Sequence, residues 1–244
     1  MILALDSSTA TLSLAIGRPG HAAPLVAERL GPPAKMSDLL PGALLALLAR
    51  AGLTLAGVGG FVVGLGPGSF TGLRIGLATV KGLAYARRLP VVGASSLAAL
   101  ALEGPEGVPL AAVAVARRGE IYLGRYRRTG AQVEALAAEE ACTETDLARW
   151  LASEPTARVL GPAVHQVREA LLGAGVPASQ LLEMPDVPSA WAVATLAGAL
   201  PPFDLHALSA LEPHYVRASE AERNPKFPPL PGPAPAARIR GEEG

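Results

Sequence analysis

The amino-acid sequence predicts an α/β fold with mixed sheets. Three observations predict it: a run of three short apolar strands at the start, an alternation of strand and helix behind it, and a second run of three strands near residue 110 that restarts the order.

Residues 1–7 (MILALDS) read as a buried strand. Residues 10–17 alternate, with Leu12, Leu14 and Ile16 on one face and Thr11, Ser13 and Ala15 on the other. The stretch 17–20, containing Pro19, punctuates, and 22–30 gives a third strand; such a run predicts an antiparallel meander. A helix follows over 37–51, with Ser37 or Asp38 as cap and Leu40, Leu44, Leu47, Leu48 and Ala51 at helical spacing. Leu39, Ala43 and Leu45 add apolar surface beyond one stripe. Residues 58–64 (VGGFVVG) lack alternation and read as a strand buried on both faces. A helix over 70–87, a strand over 89–93 and a short helix from Ser95 or Ser96 complete the order βββαβαβα, that of an actin-like (ribonuclease H-like) half. Strands over 109–116, 120–127 and 131–138 and helices near 143–152, 163–173 and 189–199 repeat the theme. The interruption at 103–108 divides the chain into a lobe at 1–105 and a second at 106–223. His214, beside Tyr215, reads as a strand residue. The Pro-rich tail at 224–244 has little to bury and is expected to be disordered.

Acids and bases balance at 21 each, so the chain as a whole is no electrostatic magnet for nucleic acid. The lone cysteine, Cys142, rules out a disulfide within the chain and fits a reducing cytoplasm. The N-terminus reads as a strand, not a signal peptide, and the longest apolar run, 39–49, is short of the roughly 20 residues a bilayer requires. A soluble cytoplasmic protein is expected.

Residues 64–86 (GLGPGSFTGLRIGLATVKGLAYA) hold the strongest local signal. Gly64, Gly66 and Gly68 allow a sharp turn and a close approach, and Pro67 stiffens it. Ser69 is a good N-cap, so Phe70 or Thr71 begins the helix. Phe70, Leu73, Leu77, Val80 and Ala84 form the expected core stripe. Gly72, Gly76, Thr79 and Gly82 or Leu83 run along another side, with Ile75 beside them, while Arg74 and Lys81 share a third line. A glycine inside a helix costs about 1 kcal/mol relative to alanine, and close approach of another backbone would compensate. No acid occurs from 39 to 102, where Arg50, Arg74, Lys81, Arg87 and Arg88 lie. These features predict two helices that bury a second face against a partner; the competing reading is that both are sandwiched inside one fold. The segment lacks the Gly-Lys-Ser/Thr of a Walker A loop, the dinucleotide fingerprint and the G-x-S-x-G elbow.

The run G-x-G-P-G-S-F-T-G-x-R-x-G, followed by K-G-L-A, resembles the signature of the TsaB (YeaZ) family. Supporting pieces occur in order: the opening ILALDSS strand, Leu39-Leu40-Pro41, Val92-Gly93-Ala94-Ser95-Ser96-Leu97, Ala116-Arg117-Arg118-Gly119-Glu120-Ile121-Tyr122, and Glu212-Pro213-His214-Tyr215-Val216-Arg217. The resemblance covers roughly 1–217. It implies an actin-like (ASKHA) fold of two similar lobes and a non-catalytic role in tRNA threonylcarbamoyladenosine synthesis. It also implies pairing with the larger paralogue TsaD, which carries the metal and the chemistry on adenosine 37. The family's pairing surface matches the helices over 37–51 and 70–87. That nominates Leu40, Leu44, Leu47, Phe70, Thr71, Gly72, Arg74, Ile75, Gly76, Thr79, Lys81 and Gly82 as partner-binding, beside the loop residues Gly64, Gly66, Pro67, Gly68 and Ser69. The ATPase TsaE is expected to dock on the pair, a homodimer to form when TsaD is missing, and tRNA to be met only through the complex. On this reading Gly76→Leu abolishes pairing and leaves the monomer folded.

No cofactor, metal or catalytic residue is expected. The paralogue's two histidines, spaced H-x-x-x-H, have no counterpart in Ala34 to Leu40, and His21, His165, His206 and His214 are scattered. Actin-like kinases place a glycine two residues after their first acid, whereas Asp6 is followed by Ser7 and Ser8. Asp6 is therefore read as bonding nearby backbone, with a metal-bound water as the alternative. Cys142 reads as a structural thiol. Arg117, Arg118, Arg125, Arg127 and Arg128 could touch tRNA or guard a sheet edge. The competing functions are an independent glycoprotease-like hydrolase or actin-like ATPase, and a plain RNA-binding protein.

Overall fold

The computed structural model describes residues 1–31, 35–117, 119–183 and 187–216. The 224–244 tail, the end of the expected second lobe at 217–223, and Arg118 lie outside the described residues.

Two five-stranded mixed sheets organise the chain. In the first, β1 (Ile2–Asp6), β2 (Leu12–Gly17) and β3 (Val26–Leu30) form the expected antiparallel meander; β4 (Gly60–Gly64) and β5 (Val91–Ala94) join in parallel, giving the order β3-β2-β1-β4-β5. In the second, β6 (Pro109–Arg117), β7 (Glu120–Thr129), β8 (Gln132–Ala135) and β10 (Arg158–Leu160) stand in the order β10-β6-β7-β8, with the short β9 (Glu140–Cys142) also pairing with β7. Read from the meander edge, both sheets place their first three strands in the same order and add the next crossover strand beside the first. The two lobes thus repeat one topology, although no sequence repeat is visible.

Alternation along β1 decides what covers each face. Leu3 and Leu5, with Leu14, Ile16, Phe61 and Val63, pack under α1 (Met36–Arg50) and α2 (Phe70–Arg87). Ile2 and Ala4, with Ala15 and Val62, pack against α6 (Ala190–Ala197). Burying a Leu, Ile or Phe side chain contributes roughly 1.5–3 kcal/mol, so β1, β2 and β4, buried on both faces, anchor the first sheet. The second sheet sits between α3 (Ser96–Leu102) on one face and α4 (Glu144–Ser153) with α5 (Val164–Gly173) on the other.

Several expectations need correction. The 106–223 lobe is not contiguous in space: α6 returns to the first sheet, and α7 (Leu205–Ala210) packs on α2. Strands β9 and β10 and helix α7 were not anticipated, because each is only three to six residues long. His214 lies in no strand. Helix α1 starts at Met36 after Lys35, and neither Ser37 nor Asp38 caps it; the Ser37 hydroxyl instead donates to Asp38 at 3.0 Å.

Candidate partner-binding surface and the loop that positions it

Helix α2 is fixed to the sheet by the glycine loop before it. Ser69 caps the helix, its hydroxyl accepting from Gly72 N–H at 3.2 Å, as the sequence predicts. The Gly66–Pro67 peptide is cis, and Gly66 adopts a φ of 92°, a left-handed conformation that favours glycine. Ser69 N–H donates to Ser8 O at 2.7 Å, and Ser96 N–H donates to Gly66 O at 2.9 Å, so the loop is tied to both neighbouring strand ends.

Asp6 is the hub beneath that loop. It is fully buried. Its Oδ1 accepts from Ser8 N–H at 2.9 Å and the Ser8 hydroxyl at 2.6 Å; its Oδ2 accepts from the Ser96 hydroxyl at 2.5 Å. The Ser96 oxygen in turn accepts from Gly66 N–H at 3.1 Å. Both carboxylate oxygens are therefore engaged by the protein itself, as the reading of Asp6 as a structural acid requires. Burial raises the Asp6 pKa above its ordinary 3.8, and the bonds from Ser8 and Ser96 only partly oppose this. A raised carboxyl pKa means that the folded state holds this proton more tightly than the unfolded chain. Asp6 therefore favours folding most at pH below 3.8, and that contribution is lost as pH rises through the folded pKa. Urea titrations across this range should show native stability, measured relative to Asp6→Asn, falling as pH rises; a flat difference would contradict the assignment.

The two helices then divide the nominated residues into two sets. Leu40, Leu44 and Leu47 are buried in the chain's own core. They cannot serve an outward surface, because α1 uses that stripe to cover β2 and β3. Gly72 and Gly76 are also internal. A Cβ on Gly72 would overlap Ser7 O, and one on Gly76 would overlap the Ser7 hydroxyl. These two glycines admit the end of β1, not a partner backbone. Phe70, expected in the core stripe, is instead 45% exposed. Ile75 and Thr79 are partly buried, and the Thr79 hydroxyl donates to Ile75 O at 2.8 Å.

What remains exposed is a pair of stripes. On α1 they are Gly42, Leu45, Ala46 and Ala49; on α2 they are Thr71, Arg74, Ala78, Gly82 and Tyr85. Leu45 is 69% and Tyr85 64% exposed. Gly42 and Gly82 both lie inside a helix, yet a Cβ on either would meet nothing within 4 Å. Nothing in the described residues accounts for these two glycines.

The side of α2 that carries Phe70, Arg74 and Lys81 is contacted by the chain's own C-terminal segment. Lys81 Nζ donates to Ser209 O at 2.9 Å, and Arg74 Nε donates to the Tyr215 hydroxyl at 2.9 Å. Arg74 also stacks on the Phe70 ring, 3.8 Å from its centroid. His214 N–H donates to Leu65 O at 2.8 Å, and His214 Nδ1 lies 3.0 Å from Glu139 Oε2, within ion-pair reach but outside hydrogen-bond geometry. Glu139, with its side chain 8% exposed, also accepts from the Ser95 and Tyr126 hydroxyls. Burial first, then the Glu139 charge, pushes the Tyr126 phenol far above its usual range. Glu139 thus joins both sheets to the C-terminal segment. Sequence reading missed it because the three groups that meet there are 13, 44 and 75 residues away in the chain.

The remaining chemical candidates are absorbed by structure. The Cys142 thiol is buried and pushed up to about 11, by burial first and then by the charges of Glu140 and Asp146. Arg117 pairs with Glu120 at 2.7 Å, Arg125 pairs with Glu140 beside Trp150, and Arg128 donates to two backbone carbonyls. Three of the five arginines are thus engaged within the chain, while Arg127 is exposed and Arg118 lies outside the described residues. Among the described residues, no three of His, Cys, Asp or Glu gather closely enough to hold a metal, and no helix is long and apolar enough to cross a membrane.

Comparison with known proteins points in one direction. Residues 34–158 match the family described as "TsaD: tRNA N6-adenosine threonylcarbamoyltransferase". The chain is similar to the tRNA threonylcarbamoyladenosine biosynthesis protein TsaB of Escherichia coli, 34% identical over 130 residues, covering 52% of this chain and 55% of that protein. It is also similar to an uncharacterized protein of Mycobacterium leprae, 41% identical over 130 residues, covering 52% of this chain and 35% of that one. The chain thus spans from about a third to two thirds of the length of the curated relatives it matches. The solved structure of YeaZ from Pseudomonas aeruginosa superposes with a TM-score of 0.69 at 29% identity, covering 88% of this chain and 98% of that one.

Proposed function

The chain belongs to the TsaB (YeaZ) family, and on that premise we propose that it serves tRNA threonylcarbamoyladenosine biosynthesis as a subunit without a reaction centre, pairing with TsaD. The observation that supports this most directly is the pair of exposed glycines, Gly42 and Gly82, on helices that also expose Leu45 and Tyr85. A helical glycine costs about 1 kcal/mol relative to alanine, and neither glycine is needed by the fold that surrounds it. A sister subunit whose helices approach closely would account for both. Large exposed apolar side chains set among small ones give the shape such packing needs: knobs beside shallow seats. The lack of acids across 39–102 keeps the surface free of like-charged carboxylates.

The absence of a reaction centre is supported by what occupies the strand ends. Asp6, the acid at the position where an actin-like enzyme meets phosphate or metal, is held by Ser8 and Ser96 and sits under the loop rather than open to a cleft. In this proposal TsaD supplies the chemistry, TsaE docks on the assembled pair, tRNA is met through the complex, and the same helix face forms a homodimer when TsaD is missing. Co-purification with TsaD from the same organism, followed by a modification assay with and without this chain, tests it. A one-to-one complex and modification that depends on the chain are expected. Modification that proceeds equally without it, or turnover by the chain alone, would overturn the proposal.

A further inference from the structure

One cation on the exposed face of α2 is held in place yet left without an anion. Arg74 is exposed. The Phe70 ring, one turn back, lies with its centroid 3.8 Å from the guanidinium carbon, and Nε donates to the Tyr215 hydroxyl at 2.9 Å. The two ring centroids are 5.7 Å apart, so a pair of aromatic side chains braces one guanidinium. The segment that brings Tyr215 is itself anchored, by His214 N–H on Leu65 O at 2.8 Å and by Lys81 Nζ on Ser209 O at 2.9 Å. Among the described residues, no hydrogen bond or ion pair engages the two terminal nitrogens of Arg74.

A surface arginine ordinarily samples many rotamers, and fixing one costs side-chain entropy that weakens any ion pair it makes. The fold has already restricted this one. Stacked on one face and tied at Nε, the guanidinium keeps the Nη1–Nη2 end of its fork for a ligand. That end matches a carboxylate through two parallel bonds. The charge pattern of the helix agrees. Arg74, Lys81 and Arg88 recur at seven-residue spacing, α2 contains no acid, and none of the three cations pairs with an acid among the described residues. Thr71 and Ala78, exposed one turn to either side of Arg74, are small enough for another protein's backbone to come close. A nucleic-acid backbone would instead call for several free cations over a polar face.

We propose that Arg74 is a preorganised carboxylate receptor on the pairing face. An aspartate or glutamate of the sister subunit binds the Nη1–Nη2 end of the fork, and Tyr215 is the positioning residue that holds that end in place. The inference rests on the pairing reading above and names the chemistry that the partner presents at this point.

Calorimetric titration of TsaD from the same organism into the full chain and its variants tests it. Absence of binding by the unaltered chain would overturn the pairing reading and this inference together; the remaining outcomes bear on Arg74 alone. Arg74→Glu should weaken binding at least about a hundredfold, by setting two carboxylates against each other. Arg74→Lys keeps the charge but loses the fork, and should weaken binding about tenfold. Tyr215→Phe, which removes only the hydroxyl, should weaken it about threefold or more. Raising the salt concentration should weaken the unaltered chain more than Arg74→Ala, a difference that a merely structural arginine would not produce. Thermal melts of the isolated variants should stay cooperative, since Arg74 lies at the surface. Native affinity in Arg74→Glu, or equal affinity in Arg74→Lys and the unaltered chain, would overturn the proposal. So would tRNA binding by the isolated chain that Arg74→Glu abolishes while affinity for TsaD stands, a result that would assign the fork to phosphate.

Discussion

Gly76→Leu should unfold the chain rather than merely block its assembly. Helix α2 lies against the C-terminal end of β1, and Gly76 is one of the two glycines that admit it. A Cβ there would overlap the Ser7 hydroxyl and lie 3.0 Å from Leu5 Cδ1. Ser7 is poorly placed to retreat, because its hydroxyl donates to Gly72 O at 2.9 Å and its own carbonyl presses on Gly72. Leu5 is fully buried, so it cannot make room either. Overpacking by a few atoms typically costs about 1–3 kcal/mol. Leucine adds four carbon atoms to a site that lacks space for one, against a total stability of about 5–15 kcal/mol for a typical domain. Gly76→Ala should therefore lose about 1–3 kcal/mol in urea unfolding, and Gly76→Leu should show no cooperative thermal transition by circular dichroism. A Gly76→Leu chain with native melting behaviour would mean that α2 does not sit on β1 as described.

This outcome reverses the expectation drawn from sequence, and the reason is physical. Spacing alone places Gly72, Gly76 and Gly82 on neighbouring sides of one helix. It cannot say whether the backbone that needs the space belongs to the same chain. The structure divides them: Gly72 and Gly76 admit β1, whereas Gly82 faces open space. The same limit applies to Leu40, Leu44 and Leu47, whose periodicity reveals a buried stripe but not what buries it. Phe70 shows the converse error, since helical spacing assigns it to the core while the Arg74 and Tyr215 contacts hold it at the surface. Features set by nearby residues were legible: the α2 boundaries, the Ser69 cap, the antiparallel meander and the bond from the nearby Ser8 N–H to Asp6. Features set by distant contacts were not. The return of α6 to the first sheet and the meeting of Glu139 with Ser95, Tyr126 and His214 follow from chain path, and no local pattern records them.

The second large effect belongs to the exposed stripes, where Gly82→Leu should abolish pairing with TsaD and leave the isolated chain folded. The contrast with Gly76 is the informative part, because both substitutions place the same side chain in the same helix. At Gly82 the new atoms enter open space in the lone chain, so no overpacking arises. Helix propensity even improves: Gly82→Ala should raise stability by about 0.5–1 kcal/mol in urea unfolding. In the complex, however, a leucine would hold the helices apart and expose the surrounding apolar surface to water. Tyr85→Ala acts oppositely, removing a knob instead of adding one. An exposed tyrosine that becomes buried at an interface centre is a frequent hot spot, and truncating one costs about 2 kcal/mol or more, roughly thirtyfold in Kd. Leu45→Arg should fail as well, by placing an unpaired charge in the same desolvated layer. Analytical ultracentrifugation of each variant with TsaD, alongside thermal melts of the variants alone, reads both halves. Native affinity in all three would remove α1 and α2 as the pairing face, and loss of folding in Gly82→Leu would show that this glycine also serves the chain's own interior.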